Sequence, residues 1–140
     1  MASKTIASGV YTIMGPGGQL TDDGRGLVLL QPGFGPPQTQ QWKVEPGSDT
    51  YTLRNLATGR YIGTDNSPDQ PSWMLPGTSQ PFPWTLTDGP DGDPTTFLIG
   101  PAASGHGLRL APSILRIWPP QVALAPPAPQ FDFEWSFQPA

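Results

Sequence analysis

Trp42-Lys43-Val44-Glu45 recurs as Trp84-Thr85-Leu86-Thr87 and again as Trp135-Ser136-Phe137-Gln138. Each copy alternates apolar and polar residues, the pattern of a strand with one buried face. Upstream of each lies an equally similar opening: Val10-Tyr11-Thr12-Ile13, Thr50-Tyr51-Thr52-Leu53 and Thr96-Phe97-Leu98-Ile99. The tryptophans stand 42 and 51 residues apart, and the openings at Tyr11, Tyr51 and Phe97 stand 40 and 46 apart, so the chain reads as three copies of one unit. Two shorter candidates fill each unit. The first is Gln19-Leu20-Thr21, Arg60-Tyr61-Ile62 or Gly107-Leu108-Arg109-Leu110. The second ends at a proline turn, as in Leu27 to Pro32, Ser72 to Pro76 and Gln121 to Pro126.

Three units of four short strands, about twelve in all, predict an all-β fold. With 17 glycines and 20 prolines spread along the chain, long helices are excluded, because proline cannot continue a helix and glycine weakens one. Propellers usually need four or more blades. A barrel closed by three units and capped by three hairpins, the β-trefoil, suits the count and leaves few free strand edges. The chain of 140 residues is expected to form one such domain, with units near 9–49, 50–93 and 94–140. Trp42, Trp84 and Trp135, with Leu30, Leu75 and Leu124, are the expected layered core, since equivalent positions in all three units point to packing.

Composition narrows the function. Seven basic against eleven acidic residues give a net charge of −4 and a pI near 4.6, with the basic residues scattered from Lys4 to Arg116, so nucleic acid is a poor partner. The absence of cysteine removes disulfides, thiolate metal sites and cysteine nucleophiles, and fits a reducing compartment. The first nine residues lack an apolar signal core and no run of about 18 apolar residues exists, so a cytoplasmic location and no membrane partner are expected. Pro68 blocks the only glycosylation-like pair, Asn66-Ser67. A lone His106 between glycines leaves no catalytic triad to read, and no enzyme is expected. The aspartates from Asp88 to Asp93 are spaced as turns and lack the twelve-residue calcium-loop pattern, so neither metal nor cofactor is predicted. A monomer or weak homodimer is expected.

The opening Ser8 to Ile13, the segment Asn55-Leu56-Ala57-Thr58-Gly59-Arg60-Tyr61-Ile62-Gly63, the Leu-x-Pro turns and the tryptophan strands resemble the small mushroom β-trefoils. That group includes fruiting-body protease inhibitors, the cospin and cnispin group and the mycocypins, and also the ricin-B-like lectins. The resemblance spans nearly the whole chain, and its motifs are chiefly structural. Ricin-B-like lectins carry Gln-x-Trp in their repeats; here Gln40-Gln41-Trp42 keeps it, whereas Phe82-Pro83-Trp84 and Phe133-Glu134-Trp135 do not. The proline-rich turns before tryptophan look more like the inhibitors. A protease inhibitor of serine or cysteine class is therefore the leading expectation. A glycan-binding lectin is the alternative, and an immunomodulatory or defence protein with neither target is the third.

Each reading has its residues. By resemblance to the cospin-like inhibitors, the loop Asp23-Gly24-Arg25-Gly26 would carry the reactive bond, with Arg25 filling an acidic specificity pocket. Such a loop needs an extended, preorganised shape; its glycines and aspartates equally describe a solvated turn. By resemblance to the mycocypins, Gly17 and Gly18, together with Gly33, Phe34 and Gly35, would block papain-like clefts, and Asn55 would address legumain. These stretches also read as ordinary turns. For a sugar, an aromatic face must stack on a pyranose while carboxylate and amide groups hold its hydroxyls. Asp65, Asn66 and Trp73 lie close together in the second unit, and Trp118 in the third; both tryptophans fall outside the core register and could equally fill the cap.

Overall fold

The computed structural model describes residues 6–64, 69–88, 93–102, 107–131 and 133–140. Ten strands are present among them: β1 (Gly9–Gly15), β2 (Gly18–Asp22), β3 (Leu27–Leu30), β4 (Trp42–Pro46), β5 (Tyr51–Asn55), β6 (Trp84–Asp88), β7 (Thr96–Pro101), β8 (Arg109–Pro112), β9 (Val122–Ala125) and β10 (Trp135–Pro139). Six of them, in the order β10-β7-β6-β5-β4-β1, form a sheet that closes on itself through β1 and β10. Each unit gives this barrel its opening strand and its tryptophan strand. The hairpins β2–β3 and β8–β9 cap it. This is the β-trefoil architecture.

The second unit departs from the expected twelve strands. Its cap segments are reduced to isolated bridges at Tyr61, paired with Arg54 and Thr78, and at Ser72, paired with Leu124. Pro71 and Pro76 lack the N–H that a continuous ladder needs, so the segment borrows partners instead. Leu75 donates its N–H to Val122 O and accepts from Leu27 N, both at 3.0 Å, while Leu29 N reaches Pro120 O at 2.8 Å. These bonds join the caps of all three units.

The core follows from the repeat. Trp42, Trp84 and Trp135 are all fully buried, and each indole N–H donates to a backbone carbonyl in the cap of its own unit: Leu20 O at 3.0 Å, Ile62 O at 2.8 Å and Leu110 O at 2.9 Å. Burying an indole removes about 200 Å² from water, a gross gain of about 5 kcal/mol, and the hydrogen bond prevents that gain from being offset by a stranded N–H. Gly15 is required beneath one of them, because a Cβ there would lie 2.2 Å from the Trp135 ring.

Leu75 and Leu124 join this core as expected, but Leu30 does not: it is half-buried, and Leu29 takes the core position. The register explains the correction. Leu29 pairs with Leu20, which faces the core, whereas Leu30 pairs with Gln19 on the opposite face.

One ionic contact ties the first unit to the second. Asp22 is fully buried and accepts from Thr58 Oγ1 at 2.6 Å, Arg60 Nε at 3.1 Å and Gly24 N at 3.0 Å, with a further contact to Arg60 Nη2. The hydrogen bond to Asp22 raises the Arg60 pKa, desolvation opposes this, and the charges of Asp22 and Asp23 add to the rise. The carboxylate therefore has a permanent cation beside it, and a buried charge needs one.

Candidate functional site

The loop after β2 is short, and its own side chains close it. Asp23 Oδ1 accepts from Arg25 N at 2.8 Å and from Gly26 N at 3.0 Å, Asp23 N reaches Gly26 O at 3.3 Å, and Gly24 adopts φ +90°. This is an aspartate-closed turn. The extended reactive segment expected for Asp23, Gly24, Arg25 and Gly26 is replaced by a bend that presents the Arg25 side chain outward. Arg25 is exposed, and its guanidinium has no hydrogen-bond or ionic partner among the described residues.

The other inhibitor candidates lie in turns or at the strand ends that border them. Gly17, at φ +92°, turns the chain between β1 and β2, while Gly18 is buried where a Cβ would lie 2.8 Å from Leu30 O. Asn55, which the mycocypin resemblance assigned to legumain, is buried. Its Nδ2 donates to Thr39 O at 2.9 Å, and its Oδ1 accepts from Ala57 N and Thr58 N. Gly33 and Gly35 take positive φ in an exposed bend. Gln40, the glutamine of the Gln-x-Trp motif, staples that bend from beneath: its Nε2 donates to Gln31 O at 2.9 Å and its Oε1 accepts from Gly33 N at 3.2 Å. The bend holds Phe34 half out of the surface. In the second unit Phe82 stands where the motif has glutamine and packs on Trp84, with ring centres 4.9 Å apart.

Among the sugar candidates, Asp65 and Asn66 lie outside the described residues, as does His106. Trp73 is half-buried and packs on Phe131, 5.7 Å between ring centres, so it serves the cap. Trp118 differs. It is 73% exposed, and the contact that holds it is an edge-to-face one with Phe34 at 5.9 Å.

Trp118 and Arg25 come together in one place. A concave pocket of about 330 Å³ opens where the three caps meet, with Asp23, Arg25 and Val28 from the first unit, Met74 and Pro76 from the second, and Trp118 and Gln121 from the third. Gln121 is positioned by its bridge to Val28 and by its Nε2, which donates to Pro119 O at 2.9 Å. Its Oε1 has no partner among the described residues. The pocket thus combines an indole, an amide, a carboxylate and a guanidinium, and its volume is at the low end for small-ligand sites. A smaller cleft of about 120 Å³ lies beside Thr64, Thr78 and Phe82. That Asp23, Gln121 and Met74 line one pocket is not evident from their local sequence. The missing signal is the repeat itself, since all three lining segments flank or form the third strand position of a unit.

No curated protein matches the chain. Solved structures do. The Macrolepiota procera ricin B-like lectin, determined with lactose, shares 18% identity at a TM-score of 0.78, with 98% of this chain and 100% of that one covered. The Rhizoctonia solani agglutinin shares 19% at 0.75, covering 99% and 100%. The Polyporus squamosus lectin, bound to a Neu5Acα2-6Galβ1-4GlcNAc epitope, shares 17% at 0.73, covering 97% of this chain and 50% of that one. At these identities the likeness is one of fold. The family model for the ricin-type beta-trefoil lectin domain-like proteins matches residues 38–113, from just before the retained Gln-x-Trp motif through β8, which is more than half of the chain. The chain belongs to that family.

Proposed function

We propose that this protein is a carbohydrate-binding lectin and that it holds its sugar in the pocket where the three caps meet. The observation that carries this reading is Trp118, an indole left largely in water beside Gln121, Asp23 and Arg25. An exposed tryptophan gives up the transfer free energy that its three core counterparts gain, and a ligand with an apolar face restores it. The C–H face of a pyranose is such a ligand. Gln121 Oε1 and the free oxygen of Asp23 accept from sugar hydroxyls, while the Arg25 guanidinium donates to them. The turn closed by Asp23 fixes the polar groups in advance, which lowers the entropy lost on binding. Family membership supports the same reading over protease inhibition, and the bent loop at Arg25 supplies no extended segment for a protease cleft.

A glycan array with the wild-type protein and Trp118→Ala tests the proposal. Binding by the wild type and its loss in the variant, about 2 kcal/mol or roughly thirtyfold for a central aromatic anchor, is the expected result. Undiminished glycan binding by Trp118→Ala would move the sugar to another site.

A further inference from the structure

Five consecutive residues of the third cap, Ile114-Leu115-Arg116-Ile117-Trp118, are all exposed. Four of them are large and apolar, with Ile114 59% and Ile117 49% in solvent. Phe34 touches Trp118 from the first unit, and Met74 faces Trp118 across the pocket from the second. Among the described residues, six of the seven exposed large hydrophobic side chains therefore belong to this one end of the molecule, Leu56 being the exception. Apolar exposure concentrated in this way marks an interaction surface.

We infer that this end of the trefoil docks on the surface of a lipid bilayer, with the 114–118 loop entering the interfacial layer. Three observations select lipid over other occupants. The loop presents its apolar residues consecutively, so the side chains leave in several directions; a soft phase accepts that arrangement, whereas a folded partner needs a matching groove. Its composition, tryptophan and aliphatic residues around one arginine, is that of interfacial segments: the indole favours the headgroup level and the long arginine keeps its charge in water while its stem lies on apolar surface. Among the described residues, the charge of the pocket lining and the 114–118 loop is also opposite to that of the chain. Arg25 and Arg116 are here, and Asp23, the one carboxylate among the pocket lining and the loop, already accepts two backbone N–H groups. In a two-fold dimer through this face the arginines would meet their own copies, whereas lipid phosphates complement them. The sequence holds no run that spans a bilayer and predicts no membrane partner; the exposed loop needs only the surface of one. The two readings share Trp118 and Arg25, but neither Ile114 nor Ile117 lines the pocket, so a variant at these two positions separates them.

The test uses the full chain and sugar-free vesicles, of phosphatidylcholine alone and of phosphatidylcholine mixed with phosphatidylserine. Co-sedimentation stronger with phosphatidylserine and weakened by salt is expected, with a blue shift of tryptophan emission that Trp118→Phe removes. The double variant Ile114→Ser/Ile117→Ser should lose at least about tenfold in vesicle affinity while its thermal unfolding and glycan-array profile stay those of the wild type. Absence of co-sedimentation, or equal binding by the double variant, overturns the inference. A concentration-dependent dimer that the double variant abolishes, without vesicle binding, assigns the face to a second copy and overturns it too.

Discussion

The barrel and the cap come from the same threefold repeat, yet they hold to it differently. In the barrel, Trp42, Trp84 and Trp135 share one burial and one hydrogen bond, each to a cap carbonyl of its own unit. In the cap, the two remaining tryptophans have parted: Trp73 packs on Phe131, and Trp118 stands in water against Phe34. Packing accounts for the contrast. Inside a closed barrel the three units share one volume, and a change in one must be absorbed by the other two. Cap loops border solvent, where length and side chain vary at little cost. Repetition here marks what holds the fold together, and the place where it fails marks a surface available for recognition.

The largest effect is expected inside the barrel. Trp135→Ala should cost about 4 kcal/mol in denaturant unfolding, because it leaves a cavity and strands the Leu110 carbonyl. A cost of less than about 1 kcal/mol would deny that the repeated tryptophans carry the core. Next comes the contact that joins two units. Asp22→Ala removes the partner of Arg60 and Thr58 and should cost about 3 kcal/mol, with a fall in melting temperature on the order of 10 °C. If calorimetry shows no change, the ionic contact adds nothing to the strand pairing and backbone hydrogen bonds that already join the first and second units. The smallest effect is predicted at Trp118. Its replacement by alanine should leave stability within about 0.5 kcal/mol, so any loss of binding reads directly on recognition. A large destabilisation there would erase the distinction between barrel and cap.

Much of this was legible in the chain and some was not. The tryptophan strands, their spacing and the proline turns determined three units and an all-β closure, because alternation and repeat length are local properties. Family resemblance carried the fold but ranked inhibitor above lectin, since the proline-rich turns that weighed in that choice belong to architecture. The core leucine of the first unit was misplaced by one residue. Either Leu29 or Leu30 satisfies an apolar run, and only pairing with Leu20 selects between them.

The turn at Arg25 illustrates the same limit: its aspartates and glycines allow a bend or an extended loop, and the hydrogen bonds of Asp23 decide for the bend. Composition alone determined that the chain has no thiol chemistry and that its few basic residues are dispersed. The tertiary structure decided that Arg25 and Trp118, 93 residues apart in sequence, line one pocket. It also decided that Asn55 is buried and that the apolar loop 114–118 is not. Burial and convergence depend on how the three caps meet around a common axis, and no single segment of the chain encodes that meeting.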